Sequence, residues 1–296
     1  MSSVAKPDFI VVGYPRSGTT WLYGALKLHS QVFLPERKEL HYYDRNLDQG
    51  LGFYKRYFPS SIVGKIKGEI TPVYTENPWI AERIYSDMPE VKIIIVVRNP
   101  VERLRSIYLQ LVRDGRFSGD FSRLLLVDGE LTEFAKKQLY SDTVAKYLEF
   151  FGANQVHVAV YDDLIKSPLE YAAGITRFLD ISDDAWTDKI AQLSKQKSNP
   201  SVTPRSFLVH RISQLINKKL RLMHNSGADR IANMLRSLYA KWFSQHSAVI
   251  PWDDTSTELV RSLYQGDVVA LGKVVGRDLE REWQFTAAID SSSRLT

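Results

Sequence analysis

The 296-residue chain contains no cysteine. Disulfides, thiolate metal sites and cysteine nucleophiles are thereby excluded. Long hydrophobic runs are missing too: the longest aliphatic stretch, Ile93 to Val97, is far too short to cross a bilayer. Met1 to Asp8 holds no apolar stretch of the kind a signal peptide needs, and the expectation is a cytoplasmic protein. No internal repeat and no low-complexity linker interrupt the chain, and no G-x-S-x-G elbow supports Ser-His-Asp chemistry. The most informative absence is a lysine. Residues 9 to 22 read Phe-Ile-Val-Val-Gly-Tyr-Pro-Arg-Ser-Gly-Thr-Thr-Trp-Leu, an apolar strand followed by a glycine-rich loop and a helix start. Gly13 and Gly18 have the G-x-x-x-x-G spacing whose backbone N–H groups wrap an oxyanion at a helix N-terminus. A nucleoside triphosphatase needs Lys and then Ser or Thr after the second glycine, for the β/γ-phosphates and Mg²⁺. Here Thr19 and Thr20 follow Gly18, and the only cation in the loop is Arg16. Such a loop suits a phosphate or sulfate and is poorly equipped for metal-dependent phosphoryl transfer.

What is present fits a globular α/β protein. Hydrophobic residues make up 44% and charged residues 25% of the chain, enough apolar material for a sizeable core. The net charge is +5, but Lys195 to Gln245 alone carries ten Lys/Arg against one acid, Asp229, so the remainder sums to −4. That stretch points to an anionic ligand, an acidic substrate or an anionic surface, with a solvated helical face as the plain alternative. No recognition motif accompanies the charge, so nucleic acid is not expected as a partner.

Three Val/Ile-rich segments, Phe9 to Val12, Lys92 to Val97 and Val156 to Tyr161, read as buried parallel strands, with Ile66 to Ile70 a weaker fourth. Helical patterns follow the strong strands at Thr19 to Leu28, Val101 to Val112 and Pro168 to Leu179. In the second of these, Val101, Leu104, Tyr108, Leu111 and Val112 form an apolar stripe, and Pro100 suits the first turn. Beyond Asp180 the pattern is mostly helical: Pro204 to Leu222, Ala228 to Phe243 and Thr255 to Val275, then a polar tail. The expected fold is α/β, a central parallel sheet flanked by helices in three layers, with a helical C-terminal portion. Ligands should bind beyond the carboxyl ends of the strands.

A second constellation, Val-Val-Arg-Asn-Pro-Val-Glu-Arg-Leu-Arg-Ser-Ile-Tyr, spans residues 96 to 108. Arg98 leaves the end of a buried strand, and Ser106 lies about two helical turns on, away from the Leu104 and Tyr108 stripe. Alone this is an ordinary salt-bridged helix start. Beside the first loop it suggests a ligand with two separated phosphate groups, since Arg makes paired charge-assisted bonds to such groups.

Together the two segments resemble the phosphate-binding signatures of sulfotransferases that use 3′-phosphoadenosine 5′-phosphosulfate, PAPS. The resemblance covers roughly residues 7 to 180 and continues faintly beyond. It implies a P-loop-type fold in one sulfotransferase domain over residues 1–296: a core at about 7–180, a helical portion at about 181–285 and a polar tail at 286–296. It implies PAPS as co-substrate without a metal. The first loop, with Arg16, Ser17, Gly18, Thr19, Thr20 and Trp21, would hold the 5′-phosphosulfate, and Arg98 and Ser106 the 3′-phosphate. The family commonly has Lys where this chain has Arg16; charge is kept, but Arg is a poorer proton donor. Lys197 and Ser198 stand where many relatives place a basic loop over the 3′-phosphate, with a plain charged loop as the alternative.

Glu39-Leu-His-Tyr-Tyr-Asp44 resembles the Glu-x-His-Phe-Phe-Asp stretch of the heparan-sulfate-type branch. That likeness implies Glu39 as catalytic base, with His41 orienting it or the acceptor. His41 as base is the competing assignment, following the small-molecule branch. Gly68-Glu-Ile-Thr-Pro72 resembles the same branch's Glu-Lys-Thr-Pro segment, with Ile70 in place of the lysine. The expected acceptor is a hydroxylated small molecule or a glycan, and residues 37–60 and 110–135, with Tyr42, Tyr43, Tyr54, Arg113 and Arg116, are candidates to line its pocket. Peripheral membrane contact through the basic helices and a monomer or homodimer complete the expectations. A Mg²⁺-dependent small-molecule kinase and a non-catalytic nucleotide-binding module stay open as alternatives.

Overall fold

The computed structural model describes residues 6–59, 61–113, 116–117, 119–182, 186–195 and 252–285. Its centre is a five-stranded sheet of β1 (Phe9–Val11), β2 (Val32–Phe33), β3 (Ile66–Ile70), β4 (Lys92–Val97) and β7 (Val156–Val160). The order across the sheet is β2-β3-β1-β4-β7, and every neighbouring pair is parallel. A separate antiparallel ribbon pairs β5 (Leu126–Val127) with β6 (Glu130–Leu131).

Side chains alternate across the sheet, and both faces are covered. Ile10, Val12, Ile93, Ile95 and Val97 join one apolar cluster; Phe9, Val11, Ile94 and Val96 join the other. The first cluster is closed by the short helices α2 (Tyr42–Arg45), α5 (Ser122–Leu125) and α6 (Glu133–Lys136), by α3 (Trp79–Asp87), α4 (Pro100–Arg113) and α7 (Ser141–Phe151), and by a long helix, Asp254–Val275. The second is closed by α1 (Thr19–Lys27), α9 (Pro168–Leu179) and α10 (Thr187–Lys195). Sheet covered by helices on both faces is the three-layer α/β architecture expected from the near-continuous apolar strands.

The strand limits differ from expectation by one residue at two places. Tyr161 does not extend β7 but opens the short helix α8 (Tyr161–Lys166), and Val12 lies just past the end of β1 although its N–H still donates to the Ile94 carbonyl at 2.9 Å. The expected stripe of α4 is confirmed: Val101, Leu104 and Tyr108 are buried. Tyr42, Tyr43 and Tyr54 are buried in the core, in contact with one another, and do not line an open pocket. The expected helices at Pro204 to Leu222 and Ala228 to Phe243, the basic stretch they carry, and the polar tail lie outside the described residues.

The order of the strands fixes where a ligand can sit. From β1 the chain passes to α1, which lies over one face; from β4 it passes to α4, which lies over the other. The two strands are neighbours in the sheet. A crevice therefore opens beyond their carboxyl ends, the topological switch point of an open α/β sheet.

Candidate functional site

The loop between β1 and α1 forms one wall of that crevice. It is closed by two glycines that no other residue could replace in place. A Cβ on Gly13 would meet the Val96 backbone nitrogen at 2.4 Å, because the loop runs tightly beside β4. Gly18 has φ +84, and a Cβ there would meet the Tyr161 ring at 2.6 Å. Gly18 caps α1 without any side-chain hydrogen bond. The N–H groups in the first turn of a nine-residue helix thus have no side chain to satisfy them, and such donors form the anion site of a helix N-terminus. Ser17 adds an independent sign: its hydroxyl is fully buried and has no hydrogen-bond partner. A buried polar atom without a partner is costly unless a ligand completes it. Thr19 is buried beside it, Thr20 is exposed, and Trp21 packs edge-to-face on Tyr171 at 6.0 Å.

The second wall comes from β4 and α4. Arg16 Nε donates to Ser106 Oγ at 2.8 Å, joining two segments that lie 90 residues apart. Arg98 Nη1 donates to the Arg16 carbonyl at 3.0 Å, and its guanidinium lies 4.6 Å from the centre of the Tyr161 ring. Glu102 Oε2 is 3.6 Å from Arg98 Nη2. Four of the six polar residues expected at the two phosphate arms, Arg16, Ser17, Arg98 and Ser106, therefore meet at one end of the sheet. Lys197 and Ser198 lie outside the described residues.

A third segment closes the crevice from the β3 side. Glu39 N donates to the Ile70 carbonyl at 3.0 Å, which fixes Glu39 beside the carboxyl end of β3, the neighbour of β1. Its carboxylate pairs with Lys38 Nζ at 2.6 Å and lies 3.8 Å from His41 Nε2. His41 Nδ1 is 2.9 Å from Asp44 Oδ2. An ionised carboxylate only accepts, so Nδ1 carries the proton of that bond and Nε2 is left facing Glu39. Arg16, Glu39 and His41 have φ of 67, 62 and 58. Non-glycine residues seldom adopt this left-handed conformation, which costs of order 1–3 kcal/mol each, and three of the six described residues that adopt it stand here.

Beneath this segment sits a buried network. Glu69, 1% exposed, accepts from Tyr54 OH at 2.5 Å, Tyr74 OH at 2.7 Å and Thr71 Oγ1 at 2.8 Å. Burial pushes its carboxyl above the ordinary carboxylate value, and the three hydroxyl donors pull the other way. Tyr74 OH in turn accepts from the backbone N–H of Tyr42 at 2.8 Å and Tyr43 at 3.3 Å. The network thus props the backbone directly after His41. Glu69 and Thr71 belong to a segment singled out in the sequence, but Tyr54 and Tyr74 as its partners do not show there, since the contacts span 15 and 5 residues through the core. Asp44 is legible in hindsight: it stands three residues after His41, the spacing that brings two side chains together on one helical turn.

Among the described residues, no cluster of three or more His, Asp or Glu could hold a metal ion, and no helix is long and apolar enough to cross a membrane.

Comparison with known proteins gives this geometry its context. The family model described as a sulfotransferase domain matches residues 6–220. Heparan sulfate glucosamine 3-O-sulfotransferase 5 of Homo sapiens is 29% identical over 187 residues, covering 59% of this chain and 54% of that protein. Heparan sulfate glucosamine 3-O-sulfotransferase 3B1 of Homo sapiens is 29% identical over 203 residues, covering 66% and 51% respectively. The chain spans about half the length of these curated relatives. Among solved structures, a sulfotransferase from Alicyclobacillus acidocaldarius shares the fold with a TM-score of 0.64 at 22% identity, over 95% of this chain and 99% of that one.

Proposed function

The chain belongs to the sulfotransferase domain family, and from that premise we propose that it moves a sulfonyl group from PAPS to a hydroxyl or amine of a glycan or other hydroxylated small molecule. The observation that carries this reading is the 2.8 Å bond from Arg16 to Ser106, which brings together the two segments assigned to the phosphates. The unpartnered, buried Ser17 hydroxyl at the same helix N-terminus supports it, since an anion there would supply the missing acceptor. The family's lysine at position 70 is Ile70 here, so this chain offers one cation fewer to an acidic acceptor. A glycan acceptor is favoured by the names of the relatives, which act on heparan sulfate glucosamine.

In the proposed reaction an acceptor oxygen or nitrogen attacks sulfur, its bond to sulfur forms, and the bond from sulfur to the bridging phosphate oxygen breaks. Adenosine 3′,5′-bisphosphate leaves with that electron pair. The acceptor's proton passes to the Glu39 carboxylate. Arg16 and the first-turn N–H groups of α1 stabilise charge on the departing phosphate. Ser17, Thr19 and Thr20 hold the 5′-phosphate, with Trp21 beside them, while Arg98 and Ser106 hold the 3′-phosphate and fix the donor's orientation. Lys38, paired with Glu39 at 2.6 Å, holds the carboxylate in place. His41, held by its bond to Asp44, presents an unprotonated Nε2 3.8 Å from Glu39, and this nitrogen orients the acceptor by taking a hydrogen bond from it.

That His41 to Asp44 pair also favours a second assignment, in which His41 takes the proton and Glu39 steadies the resulting imidazolium. The two are separated by transfer of labelled sulfate from PAPS to a panel of glycan and small-molecule acceptors. With Glu39 as base, Glu39→Gln lowers turnover at least about 100-fold at unchanged affinity for adenosine 3′,5′-bisphosphate, and His41→Asn costs less. The reverse order assigns the base to His41. Full activity in both variants, or no transfer by the unmodified chain to any acceptor, contradicts the proposal.

A further inference from the structure

One guanidinium lies wholly inside the protein. Arg103 of α4 is 0% exposed, the largest fully buried side chain among the described residues. Its Nη1 donates to Gln138 Oε1 at 3.0 Å and its Nη2 to the Gln138 carbonyl at 2.5 Å, while Nε has no partner. Two tyrosine rings flank it. The guanidinium carbon lies 4.8 Å from the centre of the Tyr14 ring and 4.7 Å from that of Tyr140, and the two rings meet edge-to-face at 4.5 Å. Two carboxylates feel its charge, Glu76 and Asp267, and Asp267 is already committed to the N–H groups of Tyr140 and Ser141. A methionine of similar length would fill this space without the cost of burying a charge. Its direct contacts are with the two rings and Gln138.

Both tyrosines are tied to the walls of the crevice. Tyr14 belongs to the loop that ends at Gly18; its N–H donates to the Val96 carbonyl at 3.1 Å and its hydroxyl to the Leu139 carbonyl at 2.9 Å. Tyr140 OH donates to the carbonyl of Arg98 at 2.6 Å. Arg103 therefore touches, on one side, the loop that presents Arg16 and Ser17 and, on the other, the tyrosine that holds the backbone of Arg98. We propose that Arg103 is a positioning residue: a buried cation that clamps Tyr14 against Tyr140 and so sets the separation of the two phosphate arms. It rests on the assignment of these arms to the 5′- and 3′-phosphates. Arg103 itself meets no ligand. A ligand that uses both arms depends on the clamp; a ligand that uses only the first does not.

The test is calorimetric titration of adenosine 3′,5′-bisphosphate and of 5′-AMP into the unmodified chain and into Arg103→Met and Arg103→Lys, each checked for folding by circular dichroism. The unmodified chain should favour the bisphosphate. In Arg103→Met that preference should shrink about tenfold, the loss of one desolvated cation–π contact expressed in affinity, with 5′-AMP bound about as before. Arg103→Lys, which keeps the charge without the planar fork, should recover part of it. Equal losses for both ligands, or an undiminished preference in a folded Arg103→Met, overturn the clamp while leaving the arms assigned. Should Arg103→Met fail to fold, Tyr140→Phe keeps the ring and removes only the hydroxyl's bonds to the Arg98 carbonyl and N–H; it should lose preference in the same direction, and an unchanged ratio overturns the clamp. No preference for the bisphosphate in the unmodified chain overturns the arm assignment and the clamp together.

Discussion

Arg16, Glu39 and His41 combine reactive side chains with left-handed backbone, and only the first of these properties is written in the sequence. The residue types announce an anion site and a candidate base because charge and hydrogen-bonding capacity are local. The conformation is not local. Nothing at these three positions, neither glycine nor asparagine, signals a positive φ, and the strain is held by contacts made elsewhere: the Ile70 carbonyl for Glu39, the Tyr74 hydroxyl for the residues after His41. Tyr74→Phe tests this. It strands the Tyr42 and Tyr43 N–H groups and removes one donor from Glu69, a cost of about 1–3 kcal/mol for a buried polar group left short. Denaturant unfolding should show that loss, and turnover should fall while the bisphosphate affinity holds. Unchanged stability and turnover would show that the network does not support the Glu39 segment. Arg103 teaches the same lesson from the other side: its place in the apolar interior cannot be read from Glu102-Arg103-Leu104-Arg105, where it looks like one more surface charge.

At the scale of elements, the strong strands and the helices that follow them were legible because each carries its own period. β4, five aliphatic residues after a lysine, and α4, with its stripe, announce themselves. β2 does not. It is two residues long and exists only because Val32 and Phe33 pair with Ile66 and Lys67, a non-local register that no local pattern specifies. α8 is missed for a different reason: Tyr161 continues the apolar run of β7, but its ring is spent against Arg98 and beside Gly18, and the chain turns there. That close approach makes Gly18→Ala informative. The positive φ and the 2.6 Å contact with the Tyr161 ring both oppose a methyl group, so the variant should lose bisphosphate binding by calorimetry even where it remains folded; retained affinity would show that the helix N-terminus is not the anion site. On β7, burial holds the His157 imidazole below its ordinary value. The unfolded chain then binds a proton more readily than the native one, so this contribution to stability is present above about pH 6.5 and is lost as pH falls through the depressed native value. His157→Phe should therefore narrow the drop in thermal midpoint between pH 7.5 and 5. An identical drop in both proteins would contradict the burial.

Across the whole molecule, the fold was the most legible part. Alternating strand and helix patterns imply a parallel sheet, and such a sheet with α1 and α4 on opposite faces has one natural crevice. The sequence places Arg16 and Ser106 far apart, and the order β3-β1-β4 is what brings them to 2.8 Å. Glu39 reaches the same end because β3 lies on the other side of β1. The acceptor is the least legible part, since the three tyrosines expected around it are core residues and the basic stretch from Lys195 to Gln245 is almost entirely outside the described residues. The donor site is therefore the place to test the account. The decisive measurement is calorimetric binding of adenosine 3′,5′-bisphosphate against ADP, each with and without Mg²⁺. Tight, metal-independent preference for the bisphosphate is the predicted result; preference for ADP that depends on Mg²⁺ would contradict the sulfonyl-donor site and favour a kinase.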